Sequence, residues 1–99
     1  MYYFVRMGSY QHKLTLKRKS ARQQWGFNIA GGNDVSLPFR VQRVELISPA
    51  GEAGLKSLDY LIKVNEIKVF DKKCNLSHNE LVHMVKHFPG DSLELLIER

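Results

Sequence analysis

The segment Trp25–Gly32 constrains the fold of this chain more than any other part of the sequence. Gly26 stands between two aromatic residues, directly before a short run typical of a strand, and two more glycines follow. A glycine lets the backbone turn and approach a neighbour closely where a side chain would block it. We therefore expect a loop at Gly26, a strand over residues 26–30, and a stop at Gly31–Gly32 and the turn-prone Asn33–Asp34.

The clearest predicted helix runs from Ser77 to about Phe88. Ser77 and Glu80 have the spacing of a capping box, in which the hydroxyl and the carboxylate each accept a backbone N–H at the start of the helix. Pro89 ends the helix, because the residue before a proline avoids helical angles. One face of this helix is expected to carry a stripe of residues spaced i, i+4 and i+7: His78, Val82 and Val85. The neighbouring face, expected in the core, carries Leu81, Met84 and Phe88.

The rest of the chain reads as short strands and one short helix. Ser48 and Pro49 have the types favoured at an N-cap and at the first helical position. Alternating or β-branched runs bounded by turn residues predict strands at 12–18, 39–46, 60–64, 67–70 and 93–98. With five or six short strands and two helices and no regular βαβ alternation, we predict an α+β, mostly β fold, a partly open barrel.

The length of 99 residues predicts one domain. We assign it to residues 11–99, and residues 1–10 to an N-terminal extension or cloning remnant. The single cysteine, Cys74, allows no intramolecular disulfide, and no apolar run is long enough to span a membrane. We expect a cytoplasmic protein, at membrane-associated or cytoskeletal complexes, that is a monomer.

The net charge of +5 is partly local. The cations that cluster near the N-terminus are Lys13, Lys17, Arg18, Lys19 and Arg22. They predict either a patch for anionic phospholipid or a solvated strand edge and loop, and we favour the second. Nucleic acid is not expected as a partner, since the sequence has no basic helix, zinc-finger spacing or aromatic-studded basic sheet.

The sequence gives little support to catalysis or to a bound metal. His83 and His87 have the i, i+4 spacing of a zinc pair, but no third ligand accompanies them. Cys74 lacks an orienting partner for nucleophilic catalysis, and paired carboxylates or a triad are not evident. We expect no enzyme activity, no cofactor and no metal.

The loop before the second strand has the chemistry of a carboxylate site. The carboxylate of a free peptide terminus needs several converging N–H donors, which successive amides of Trp25, Gly26 and Phe27 could supply. A nearby cation could assist, and Arg18, Lys19 and Arg22 remain open alternatives.

A strand beside a helix makes a groove that binds an extended peptide. Asn28, Ile29 and Ala30 would pair with the ligand backbone, so that alternate ligand side chains point at the helix. The expected lining of an apolar pocket for the last ligand side chain is Trp25, Phe27, Ile29, Val82 and Val85. His78, at the start of the helix, could accept a hydrogen bond from a hydroxyl on the ligand residue that lies two positions before the ligand's last residue.

Four motifs in this order resemble the PDZ domain family over about residues 12–98. They are Gln24–Trp25–Gly26–Phe27, Ala53–Gly54–Leu55, Asp59–Tyr60–Leu61–Ile62–Lys63–Val64–Asn65 and Ser77–His78. The first, with the later Gly-Gly and Pro-Phe, is also similar to PDZ domains of LIM-containing and actin-associated proteins. The resemblance implies a non-catalytic interaction module for free C-terminal tails of the form Ser/Thr-x-hydrophobic-COOH, carried by membrane or cytoskeletal proteins. Leu58 and Glu66 stand where the family has turn glycines.

Overall fold

The computed structural model describes residues 10–69, 71, 73 and 75–99. Within these residues the chain forms six strands, two α-helices and one short 3-10 helix. The strands are β1 (Gln11–Lys17), β2 (Phe27–Gly32), β3 (Leu37–Val44), β4 (Tyr60–Val64), β5 (Ile67–Lys68) and β6 (Ser92–Glu98). The helices are α1 (Pro49–Glu52), α2 (His78–Lys86) and the 3-10 helix Asn33–Val35 between β2 and β3.

The strands form one antiparallel sheet in the order β1-β6-β4-β3-β2, with β5 paired to β4. In this sheet β1 and β2 are the two edges, so the sheet is not closed. The fold is α+β and mostly β, and the expected five or six short strands with two helices are confirmed. At the far end of the β1–β6 ladder, Tyr10 and Arg99 exchange both backbone hydrogen bonds.

One core lies between the sheet and α2. Alternate residues of the strands point inward, and Leu81 of α2 is fully buried against them. The largest fully buried side chains are Phe39, Leu16, Leu61, Leu81, Leu93, Leu95 and Ile97. Burying each such side chain contributes about 1.5–3 kcal/mol before the entropy of folding is counted, so this core is the main support of the groove described below.

Both predicted helix starts are confirmed. The Ser48 hydroxyl accepts the N–H of Gly51, and Pro49 occupies the first turn of α1. At α2 the Ser77 hydroxyl accepts the N–H of Glu80, and the Glu80 carboxylate accepts the N–H of Ser77. Helix α2 ends at Lys86, two residues before the predicted end.

The expected end of the second strand at Ala30 is wrong, since the strand runs from Phe27 to Gly32 and the turn follows at Asn33. Strand β2 continues through both glycines, and Gly32 pairs with Leu37 of β3. A Cβ on Gly31 would lie 2.0 Å from the carbonyl oxygen of Pro38. These glycines therefore allow close approach within the sheet instead of a turn, and the 3-10 helix makes the turn.

Other bounds differ by a few residues. Strand β3 begins at Leu37 and ends at Val44, so Pro38 lies inside its start and residues 45–46 belong to the following loop. Strand β5 is described for Ile67–Lys68. The predictions for residues 1–9, for Phe70 and for Cys74 lie outside the described residues.

Candidate functional site

The outer edge of β2 offers backbone hydrogen-bonding groups that the rest of the sheet does not use. Phe27 pairs with Val44, and the neighbouring Glu45 donates its N–H to the carbonyl of Gly26. In an antiparallel ladder this pattern makes the Phe27–Val44 pair a non-hydrogen-bonded one. The N–H and C=O of Phe27 therefore point away from β3, toward the open edge.

Ile29 has the same orientation. It pairs with Val41, whose C=O accepts from Leu58 and whose N–H donates to Asp59, on the other side of β3. The Ile29–Val41 pair is thus also non-hydrogen-bonded, and the Ile29 N–H and C=O face outward. Since β2 is the last strand at this edge of the described sheet, the edge can accept one more strand.

The loop entering β2 is held through its carbonyl groups. The Trp25 carbonyl accepts the N–H of Ala50, and the Gly26 carbonyl accepts the N–H of Glu45. Within the described residues, the amides of Trp25 and Gly26 have no hydrogen-bond partner. The loop therefore leaves its N–H groups available beside the start of β2, as a carboxylate site requires.

Gly26 is required at its position for two reasons. Its φ of 91° lies in the left-handed region, which favours glycine. A Cβ there would also lie 2.2 Å from the Cβ of Ser48. The turn that exposes the loop amides therefore tolerates no side chain.

The C-terminal end of α2 is anchored to this loop. The indole Nε1 of Trp25 donates to the carbonyl of Val85, 3.2 Å away. The guanidinium of Arg18 stacks on the Trp25 ring, 4.1 Å from its centroid. The same guanidinium donates to three carbonyls, those of Gln23, Phe88 and Gly90, at 2.6–3.1 Å.

Arg18 is therefore directed into the protein. Its residue is 8% exposed, and four hydrogen bonds hold its side chain. Lys19 and Arg22 lie exposed in the loop between β1 and β2. Of the three cations expected near the carboxylate, the structure leaves these two on the surface.

The N-terminal end of α2 is anchored to the end of β2. The Asp34 carboxylate accepts the N–H of His78 at 2.9 Å, and the Asn33 side chain donates to the carbonyl of Leu76 at 2.8 Å. A Cβ on Gly32 would lie 2.7 Å from the nitrogen of His78, so glycine permits this approach. Because α2 is held at both ends, the spacing between β2 and the helix is set by the fold.

The ring of His78 lies at this end of the groove. Its Nδ1 is 2.8 Å from the carbonyl oxygen of Gly31. A carbonyl only accepts, so the hydrogen bond assigns the proton to Nδ1. In the neutral ring Nε2 is then an acceptor.

The apolar side chains expected in the pocket come together between β2 and α2. Trp25, Ile29 and Val85 belong to the core and are 4–8% exposed. Phe27 and Val82 are half-buried and pack against that core. Together these side chains form an apolar surface between β2 and α2, on which Phe27 and Val82 are partly exposed.

Sequence reasoning missed the residues that anchor α2, namely Gly31, Gly32, Asn33 and Asp34. The sequence predicts only a turn at Asn33–Asp34, although the side chains of both residue types commonly form hydrogen bonds with nearby backbone. Their partners lie more than 40 residues away in the chain, so local patterns carry no signal for these bonds.

His83 and His87, the pair with zinc-like spacing, lie away from this groove. The rings of His83, on α2, and His87, its C-cap residue, are exposed and tilted against each other, with their centroids 4.2 Å apart. Among the described residues, no group of three or more His, Cys, Asp or Glu is placed to hold a metal ion. Neither helix in the described part of the chain is long and apolar enough to cross a bilayer.

Two relatives are similar in sequence over about three quarters of this chain. The PDZ and LIM domain protein Zasp of Drosophila melanogaster is 34% identical over 77 residues, which are 78% of this chain and 3% of Zasp. The human synaptopodin 2-like protein is 32% identical over 75 residues, 76% of this chain and 7% of that protein. The chain thus spans a small fraction of the length of these relatives.

A solved structure shares the fold. The PDZ domain from choanoflagellate SHANK1, bound to a GIRK3 peptide, has a TM-score of 0.74 and 25% identity, covering 92% of this chain and 93% of that one. The model of the PDZ domain family matches residues 13–98. With the open β2 edge, the amide-presenting loop and the anchored helix in place, the chain belongs to the PDZ domain family, whose members are protein-interaction modules.

Proposed function

We propose that this domain captures the free C-terminal tail of a partner protein by adding it as a strand to β2, and that it prefers tails of the form Ser/Thr-x-hydrophobic-COOH. The carboxylate lies on the amides of Trp25, Gly26 and Phe27, with Arg22 or Lys19 as the exposed cation. Arg18 acts through the loop, because it fixes Trp25 and the end of α2. The backbone of Asn28, Ile29 and Ala30 pairs with the ligand.

The observation that carries this proposal is the outward orientation of Phe27 and Ile29 opposite α2. Four backbone groups, an N–H and a C=O on each residue, form the half-ladder that an antiparallel ligand completes. The peptide in the choanoflagellate SHANK1 structure supports the same class of ligand here. We place the partners among membrane or cytoskeletal proteins, and the domain in the cytoplasm as a monomer.

The carboxylate can be tested with one pair of peptides. A peptide ending Thr-x-Val is prepared as the free acid and as the C-terminal amide, and both are titrated by fluorescence polarisation. We expect the amide to bind much more weakly, since it removes the charge that the loop amides recognise. Equal affinity of the two forms would contradict the proposal.

The role of His78 is tested by the difference between two nearly isosteric ligands. The wild type should favour Thr over Val two residues before the C-terminus by about 0.5–1.5 kcal/mol, the net value of one hydrogen bond to Nε2. In His78→Ala this preference should vanish, whatever happens to the overall affinity. Asn79→Ala, an exposed neighbour on α2, is the control and should keep the preference. A wild type that does not distinguish the two peptides would exclude this role.

A second candidate is attachment to anionic phospholipid through the basic N-terminal strand and loop. One observation favours it: Lys13, Lys63 and Lys68 lie in one row across the sheet, with Leu96 between the first two. Co-sedimentation with anionic vesicles at low salt should weaken steeply as salt rises. Absence of binding at low salt would remove this candidate. Lys13→Gln with Lys63→Gln should lower vesicle binding and leave peptide affinity unchanged.

A further inference from the structure

The last turn of α2 carries two imidazoles that the peptide groove does not use. His83 lies within α2, His87 is its C-cap residue, and both are exposed. Successive residues of an α-helix are rotated by about 100°. Both rings therefore lie more than a quarter of a turn away from Val82 and Val85, which face the groove.

The backbone fixes the spacing of this pair. The N–H of His87 donates to the carbonyl of His83 at 2.9 Å, which is the regular bond of an α-helix. Residues at i and i+4 lie one above the other on the same helix face. The two rings are accordingly close, with their centroids 4.2 Å apart and their planes inclined by 36°. The helix thus brings two nitrogen ligands together without ordering a loop.

The separation of the rings is close to the one that a shared metal ion requires. A zinc ion lies about 2.0–2.1 Å from an imidazole nitrogen, and the centroids of two imidazoles bound at the tetrahedral angle are then about 5 Å apart. The observed centroids are 4.2 Å apart. Because both side chains are exposed, rotation about their own bonds supplies the difference and the helix keeps its shape.

Neither ring is committed to another partner. In the part of the chain that the structure describes, the two imidazoles contact each other and form no hydrogen bond. The other histidines differ from this pair. Nδ1 of His78 is held by the carbonyl of Gly31 at 2.8 Å, and His12 lies on β1. The pair at the end of α2 is therefore the place where two imidazoles are both adjacent and available.

The charges around the pair act in both directions. The carbonyls of the last helical turn carry partial negative charge, which favours a cation at this end of α2. Lys86 lies next to His87 in the chain and repels a cation, although its side chain is exposed and water screens the repulsion. Glu80, the acidic residue of α2, lies in the first turn. Removing the charge of Lys86 should therefore strengthen the binding of a cation.

We propose that His83 and His87 chelate a divalent transition-metal ion, Zn²⁺, on the outer face of α2. Imidazole suits Zn²⁺, whereas Mg²⁺ and Ca²⁺ take oxygen ligands. With two protein ligands, water completes the coordination, and the site is weaker than a structural zinc site with four. The expectation of no metal, drawn from the lack of a third ligand, then holds for a closed site only. Because both ligands belong to one turn, the bound ion stabilises the end of α2.

The test titrates the purified domain with ZnCl₂ alone, by isothermal titration calorimetry. The proteins are the wild type, His83→Gln, His87→Gln and the double variant. Each single change should weaken binding by about tenfold or more, since the remaining imidazole loses its chelating partner. The loss in the double variant should be smaller than the product of the two single losses, because either change already destroys the chelate. ZnCl₂ should also raise the Tm of the wild type and leave that of the double variant unchanged.

Three further variants serve as controls. His12→Gln removes a lone exposed imidazole and should leave zinc affinity unchanged, as should Cys74→Ser, which removes the single thiol. Lys86→Gln should strengthen binding, since it removes a like charge. MgCl₂ should show no binding to the wild type at the same concentration. Thermal unfolding without metal checks that each variant is folded.

Several outcomes would overturn the proposal. Zinc affinity that survives His83→Gln or His87→Gln, or that is lost in His12→Gln or Cys74→Ser, would place the ion elsewhere. A double-variant loss equal to the product of the single losses would show two independent imidazoles and no chelate. An equal rise of Tm in the wild type and the double variant would also contradict it. None of these results bears on strand addition, whose peptide titrations contain no metal.

Discussion

The side chain of Arg18 connects three separate parts of the fold. In the sequence it is one of five clustered cations, whereas in the fold its guanidinium joins the β1–β2 loop, the Trp25 ring and the chain after α2. Only the planar fork of arginine matches several carbonyls at once while stacking on an aromatic face.

We expect Arg18→Lys to lower the free energy of unfolding by about 2–4 kcal/mol, since it retains the charge but loses most of these bonds. Urea unfolding measures this loss. Arg22→Lys, an exposed change in the same loop, should stay within about 0.5 kcal/mol of the wild type. A lysine variant as stable as the wild type would show that the fork geometry contributes nothing.

Leu58 has a left-handed backbone conformation, which favours glycine. Its φ is 77°, and its side chain is 63% exposed, so little burial offsets the strain. The left-handed region costs a residue with a Cβ about 1–2 kcal/mol. Leu58→Gly should therefore raise the free energy of unfolding by about 0.5–1 kcal/mol. Leu58→Ala removes the same apolar side chain but keeps the Cβ, and it should bring no such gain.

Among the elements, those defined by local chemistry were predictable. The capping box of α2, the Ser48–Pro49 start of α1 and the alternation of β6 depend on residues a few positions apart, and all three are confirmed. The extension of β2 through Gly31–Gly32 was not predictable. It depends on the approach of Pro38 and α2, and glycine is as compatible with a close contact as with a turn.

The substitution Gly32→Ala tests the close contact between the end of β2 and the start of α2. The new Cβ would meet the nitrogen of His78 at 2.7 Å, so the first turn of α2 must shift. Gly54→Ala is the matched control, because Gly54 also has a positive φ, +90°, but its Cβ would meet nothing within 4 Å. Gly54→Ala should cost only the backbone strain, about 1–2 kcal/mol. Gly32→Ala should cost more stability and should also reduce the preference for Thr over Val, which Gly54→Ala should leave unchanged.

At the scale of the whole molecule, one ion pair joins the end of the chain to the start of β4. Arg99 donates to the Asp59 carboxylate at 3.0 Å, and the Asp59 residue is 3% exposed. Arg99→Gln leaves that carboxylate buried without its charged partner, and we expect a loss of about 1–3 kcal/mol, discounted for the partial exposure of Arg99. Adding Asp59→Asn should recover part of the loss in thermal unfolding. A double variant less stable than Arg99→Gln would contradict this account.

The pairing of Tyr10 with Arg99 also determines how the domain responds to mechanical force. Because these two residues lie side by side at one end of the β1–β6 ladder, pulling them apart loads its hydrogen bonds one pair at a time. The rupture would travel along the ladder from Gln11 toward Lys17, and only then reach Arg18 and the anchored end of α2. Tension applied at Tyr10 and Arg99 would thus open the ladder along its length before it reaches the groove between β2 and α2.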